Sequence, residues 1–168
     1  MAPSKKSLLG FVTAGLLLVG LLILLLRSRA GMSTSTETKE AISGTIRKAL
    51  MQAGYSARAA DYWVAIAKFE SANFNSQLCT KYHNLFGMSY PTVGKNYGKV
   101  TLNDAGTPHN FSTYDTFKES VEDLLEYLAA FKYSKDPESI DELVNYMKSK
   151  NYFGSPVSTY LAGVKRYL

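Results

Sequence analysis

One cysteine and two histidines are all this 168-residue chain offers of thiol and imidazole groups. A lone Cys79 excludes an internal disulfide and any Cys-x-x-Cys pair. His83 and His109 have no metal-ligand spacing, so no metal is expected. The chain has neither a Walker phosphate loop nor a Gly-x-Gly-x-x-Gly fingerprint, so no nucleotide or other cofactor is expected. Cys79 lies four residues before His83, which is the weakest form of a nucleophile–base pattern. A small buried hydrophobe is the plainer reading. Excess charge is also scarce once its location is considered. The net charge is +5, yet Lys5, Lys6, Arg27 and Arg29 supply four of the 19 Lys+Arg; the rest of the chain sets 15 against 14 Asp+Glu. No basic stripe remains to track a phosphate backbone, so nucleic acid is not an expected partner.

What is present begins with a long apolar run. Leu8 to Leu26 is 19 residues without a charge, about 28 Å as a helix and enough to cross a bilayer core. A cleaved signal peptide is the rival reading, since Ser28-Arg29-Ala30 has small residues at the right spacing. The run exceeds the usual length of such a peptide, however, and arginines crowd the cleavage site. We therefore expect one N-terminal transmembrane helix as an anchor over residues 1–30, spanning 8–26 in contact with the lipid bilayer. A polar tether follows at 31–38, then one domain at 39–168. Basic residues flank both ends of the span, so charge does not fix its orientation. An N-in, C-out arrangement is assumed.

Helical periodicity dominates the domain. Glu37 to Ala53 puts Ile42, Ile46, Ala49 and Leu50 on one face and stops at Gly54. Ser56 is placed to cap a helix that carries Trp63 and ends near Glu70. Phe117 to Phe131 forms another, with Val121, Leu124, Leu125 and Leu128 inward. Asp136-Pro137 and Ser155-Pro156 each read as an N-cap followed by proline at the first helical position. Between the Glu70 helix and the Phe117 helix, Met88 to Tyr114 is rich in glycine. Runs at Tyr97–Leu102 and Asn110–Tyr114 flank Asn103-Asp104-Ala105-Gly106, a hairpin signal. The expected fold class is α+β, mostly α, with a small β-hairpin lobe inserted after the Glu70 helix.

Glu70 is the residue whose surroundings invite chemistry. At about 100° per residue, Trp63, Ile66 and Ala67 share its helix face. A carboxylate on the apolar side of a helix end loses solvation and its pKa rises. That suits a general acid for glycosidic cleavage near neutral pH. The alternative is a glutamate at a helix end that turns out to water. Twelve tyrosines, eight phenylalanines and one tryptophan suit sugar faces, and suit an ordinary core equally well. Trp63 reads as core.

Glu70-Ser71, then Ser76, then Asn84-Leu85-Phe86-Gly87 resembles the bacterial glucosaminidase family of peptidoglycan hydrolases. That family typically shows Glu-Ser-Gly-Trp-Gly-x-Ser followed by Asn-Asn-Leu-Phe-Gly. Tyr114 to Ser120 is similar to its Tyr-x-x-x-x-x-Ser segment, and Tyr152-Phe153-Gly154-Ser155-Pro156 to its Tyr-Ala-Thr-Asp-Pro. The four segments keep the family's order over roughly Ala59 to Leu168. Ala72-Asn73-Phe74-Asn75 departs from Gly-Trp-Gly-x, and His83 stands where the family often has its first Asn. The resemblance implies a lysozyme-like domain that cuts peptidoglycan glycan strands, an endo-β-N-acetylglucosaminidase with Glu70 as general acid. It implies that Asn84 and Phe86 shape the cleft floor, that Tyr152 lines the cleft and orients substrate, and that Tyr114 belongs with the substrate-binding residues. Tyr160 is assigned instead to the apolar face of the last helix.

Paired-carboxylate hydrolysis needs a second acid about 5–9.5 Å away. Asp104 is the only one between Met88 and Tyr114, and Asn-Asp-x-Gly is equally a turn sequence. With a single acid, the substrate's N-acetyl group acts as nucleophile, or its 6-hydroxyl closes an anhydro product as in lytic transglycosylases, which share the fold. Other readings are an inactive peptidoglycan-binding domain and a viral membrane protein that carries wall-opening activity in a virion. For the enzyme, the C-terminal domain is expected to face the cell wall or periplasm.

Overall fold

The computed structural model describes residues 38–95, 97–104 and 106–168. The expected span at 8–26, its flanks and nearly all of the tether lie outside the described residues. Among those described, no helix is long and apolar enough to cross a membrane. Thr38–Leu168 forms one compact unit.

Capping chemistry sets most helix starts. In α1 (Lys39–Gln52), the Thr38 hydroxyl accepts from the Ala41 amide, and Gly54 at φ 88° ends the run. Ser56 does the same for α2 (Ala57–Glu70) through the Ala59 amide. The chain leaving α2 is unusual, because Ala72, Asn73 and Phe74 all take positive φ, at 51°, 55° and 62°. Ser71, 1 % exposed, pins this left-handed turn by donating to Ala67 O and accepting from the Phe74 amide. A short α3 (Gln77–Tyr82) follows, capped by Ser76 and closed by left-handed His83.

The hairpin pairs β1 (Gly98–Asp104) with β2 (Thr107–Thr113), antiparallel, from Gly98 opposite Thr113 to Asp104 opposite Thr107. The ladder therefore runs further than expected: Asn103 pairs with Pro108, and only residues 105 and 106 link the strands. Met88 and Tyr90 hydrogen-bond to Ser112 and Asn110, which lays the loop after α3 along β2.

Thr116 caps α4 (Phe117–Ala130). Two starts differ from expectation. Helix α5 (Ile140–Ser149) begins at Ser139, whose hydroxyl accepts from the Glu142 amide. Asp136 is instead drawn to Arg58, 2.9 Å away. For α6 (Val157–Val164), Pro156 itself occupies the cap position and no side chain caps the end. A 3-10 turn, Lys165–Tyr167, completes the chain.

Helix α2 is the centre: α1, α6 and the terminal turn pack on it, α4 packs on α1, and α5 on α6. Its Trp63, Ala65, Ile66 and Ala67 are fully buried among Ile46, Leu50, Leu124, Val144 and Met147. The architecture is mostly α with one two-stranded sheet.

Candidate active site

Glu70 is the last residue of the buried helix. Trp63, Ile66 and Ala67, on its face, are fully buried, while Glu70 is half-buried on the wall of a cleft. The cleft has a volume of about 510 Å³, and its wall also carries Phe86, Gly87, His109 and Tyr152. Core packing thus fixes the backbone under Glu70 while its side chain lines the cleft.

One carboxyl oxygen is gripped from α6. The Tyr160 hydroxyl donates to Glu70 Oε1 at 2.5 Å. Tyr160 is 3 % exposed, its ring stacks on Phe153 with centroids 3.8 Å apart, and it meets the edge of Phe69. Burial first, then the charge of Glu70, push the phenol far above its ordinary pKa, so it stays a donor. The other oxygen, Oε2, faces Gly87: a β-carbon built there would lie 3.5 Å from it. Gly87 has φ 64°, which glycine adopts freely.

Asn84 organises the loop that presents Gly87. The side chain is 1 % exposed. Its amide nitrogen donates to Met88 O and Ser112 O, and its oxygen accepts from the amides of Phe86 and Met88. The Leu85 amide is held by Ser120 Oγ on α4. Tyr152 closes the frame by donating to Phe86 O at 2.9 Å. Burial, then the Glu70 charge, raise its pKa well above the ordinary tyrosine value.

Of the residues singled out in the sequence, Glu70, Phe86 and Tyr152 meet on the cleft wall. Asn84 and Tyr114 do not line it. Asn84 spends its polar atoms on the backbone of its own loop and of β2. Tyr114 is buried and donates to Asp123 Oδ2 at 2.5 Å, so neither offers a free polar group to a sugar. Asp104 ends β1 beside the hairpin turn. Among the described residues of the cleft wall, Glu70 is the single carboxylate. Cys79 is fully buried and its thiol is pushed up to about 11 by burial, which makes it inert near neutral pH. Among the described residues, no three His, Cys, Asp or Glu side chains gather as a metal site.

Two elements of the site are absent from the sequence reading. Tyr160 looked like core because it shares a face with Val164. The signal was its hydroxyl, since a buried phenol seeks an acceptor. The other is the hairpin wall, where His109 Nε2 and Ser89 Oγ lie 2.8 Å apart and both border the cleft.

The family model described as Glucosaminidase, mannosyl-glycoprotein endo-beta-N-acetylglucosaminidase, matches residues 45–167. Among solved structures, the catalytic domain of the autolysin Auto from Listeria monocytogenes is 20% identical with TM-score 0.53, over 87% of this chain and 92% of that one. A peptidoglycan hydrolase from Sphingomonas sp. A1 is 17% identical with TM-score 0.60, over 77% and 86%. The glycoside hydrolase domain of FlgJ from Salmonella typhimurium is 14% identical with TM-score 0.50, over 78% and 86%. At these identities the likeness is one of fold. No curated protein matches the chain.

Proposed function

The chain belongs to the glucosaminidase family, and from that premise we propose that it is a glycoside hydrolase that cuts the glycan strands of peptidoglycan with Glu70 as general acid. The observation that carries the reading is the half-buried Glu70 carboxyl on the wall of a cleft of about 510 Å³, backed by a buried phenol. A sugar polymer needs an open groove, and leaving-group protonation needs a carboxylic acid presented into it. The structures of similar fold that are named as peptidoglycan hydrolases support that substrate.

The bond expected to break is that of N-acetylglucosamine, an endo-β-N-acetylglucosaminidase activity. Since Glu70 is the single carboxylate among the described residues of the wall, a one-acid route is favoured over a carboxylate pair with Asp104. The substrate's acetamido oxygen, or its 6-hydroxyl, then takes the anomeric carbon. Residues 8–26 are proposed to anchor the chain in the bilayer, with the domain facing the wall.

Mass spectrometry of muropeptides tests the reading. The full chain in mild detergent is incubated with purified sacculi, wild type beside Glu70→Gln. Products with a reducing N-acetylglucosamine end, absent from the variant, are expected. Anhydro products would instead make the protein a lytic transglycosylase. No products from the wild type would reduce the domain to a wall-binding module.

A further inference from the structure

The two oxygens of Glu70 have different neighbours. Oε1 accepts from Tyr160. Oε2 lies on the Gly87 side, where a β-carbon would sit 3.5 Å from it, and Glu70 and Gly87 both line the cleft. We propose that Tyr160 is a positioning residue that fixes Oε2 as the oxygen delivering the proton to the glycosidic oxygen, and that it steadies the charge left behind on Oε1. The inference rests on the reading of Glu70 as general acid.

The chemistry follows from what a hydroxyl donor does to a carboxyl group. A phenol aimed at Oε1 disfavours a proton on that atom, so the acidic hydrogen resides on Oε2. When the anomeric C–O bond breaks, its electron pair passes to the leaving oxygen, which takes the proton from Oε2. The new negative charge spreads over both oxygens, and the hydrogen bond from Tyr160 becomes charge-assisted and stronger. Water completes hydrolysis by adding its oxygen to the anomeric carbon, directly or after the acetamido group, and its proton returns to Oε2.

Tyr160 is built to hold that aim. Its ring lies flat on Phe153, at 8° between planes, and crosses Phe69 at 82°. Behind it, Gly163 admits the Phe69 ring: a β-carbon at Gly163 would fall 2.2 Å from Phe69 Cε2. Phe69 is the neighbour of Glu70 on α2, so the ring that braces the phenol is carried by the same helix end as the acid. Tyr152 serves a different purpose here, since its hydroxyl is committed to Phe86 O.

The test uses the full chain in detergent on purified sacculi. Tyr160→Phe keeps both ring contacts and removes only the hydroxyl. Its kcat should fall about 10-fold to 100-fold, the range of a hydrogen bond to a charged group, with KM unchanged. Losing a donor to the carboxylate favours the protonated acid, so the basic limb of the kcat–pH profile should move up by roughly one unit. Infrared spectroscopy gives a readout that does not require Tyr160→Phe to fold. The C=O stretch of protonated Glu70 in the wild type, identified by its loss in Glu70→Gln, should have the lowered frequency of a hydrogen-bonded carbonyl. A free-carbonyl frequency overturns the proposal, as does Tyr160→Phe with wild-type kcat and pH limb. An active Glu70→Gln overturns the general-acid reading and this inference with it. An inactive Glu70→Gln beside a wild-type-like Tyr160→Phe overturns this inference alone.

Discussion

Replacing Asn84 by alanine separates two roles that a motif residue beside a sugar cleft can have. If Asn84 binds substrate directly, truncation raises KM and leaves stability alone. If it holds the 84–88 loop, truncation costs stability first. The structure argues for the second. Three of its hydrogen bonds, to Met88 O, Ser112 O and the Met88 amide, span 2.9–3.0 Å, and a fourth, from the Phe86 amide, is longer at 3.3 Å. All are buried, and alanine leaves four backbone groups without this partner. At about 1 kcal/mol per bond, with less for the long one, the loss is about 3–4 kcal/mol. For a unit of about 130 residues, the entropy of unfolding converts that to a fall in Tm of about 11–15 °C. Urea unfolding followed by circular dichroism measures the loss, and muropeptide release at a temperature where the variant is folded measures kcat and KM. Falls in stability and kcat with little change in KM are expected. A loss below about 1 kcal/mol together with a raised KM would refute the loop-holding account and restore direct sugar contact.

Two further outcomes follow from strain and from burial. Ala72 is exposed at φ 51°, so Ala72→Gly should raise stability by about 0.5–1 kcal/mol, the relief of a left-handed residue less the entropy cost of glycine; a destabilised variant would refute it. Asp123 is fully buried on α4, and burial raises its pKa against the lowering hydrogen bond from Tyr114. A carboxyl raised in the folded state stabilises below the ordinary aspartate value, and that contribution is lost as pH climbs through the raised one. The stability of the wild type relative to Asp123→Asn should therefore decline from about pH 4 upward and then level off. Urea unfolding at a series of pH values reads this directly, and a flat or rising difference would refute it.

The sequence rules worked where the deciding forces are local. Ser56 caps its helix because its hydroxyl meets an amide three residues on, and the apolar stripes of α1, α2 and α4 emerge as buried faces because period and core agree. They failed where a distant partner decides. Asp136-Pro137 satisfies a capping pattern, but Asp136 pairs with Arg58, 78 residues away, and the better-placed Ser139 starts α5 instead. Helix α3 has six residues, too few to display a period. In the hairpin, the Asn-Asp-Ala-Gly turn signal was real, yet ladder pairing consumed its first two residues.

At the site, Glu70 was legible because a helical period is a statement about faces. Tyr160 was not, because its partner lies 90 residues upstream and its own face reads as core. The departure from the resembled motif is the most instructive case. Ala72 and Phe74 stand where that motif has glycine, and both adopt positive φ. These positions thus hold a backbone that glycine would form without strain, and the cost is offset by Ser71 clamping the turn and by Phe74 being buried. The turn reverses the chain directly after the acid and returns Ser76 and Leu78 to the cleft wall. Substitutions at 72–75 alter the surface beside Glu70 and leave the helix that carries it in place.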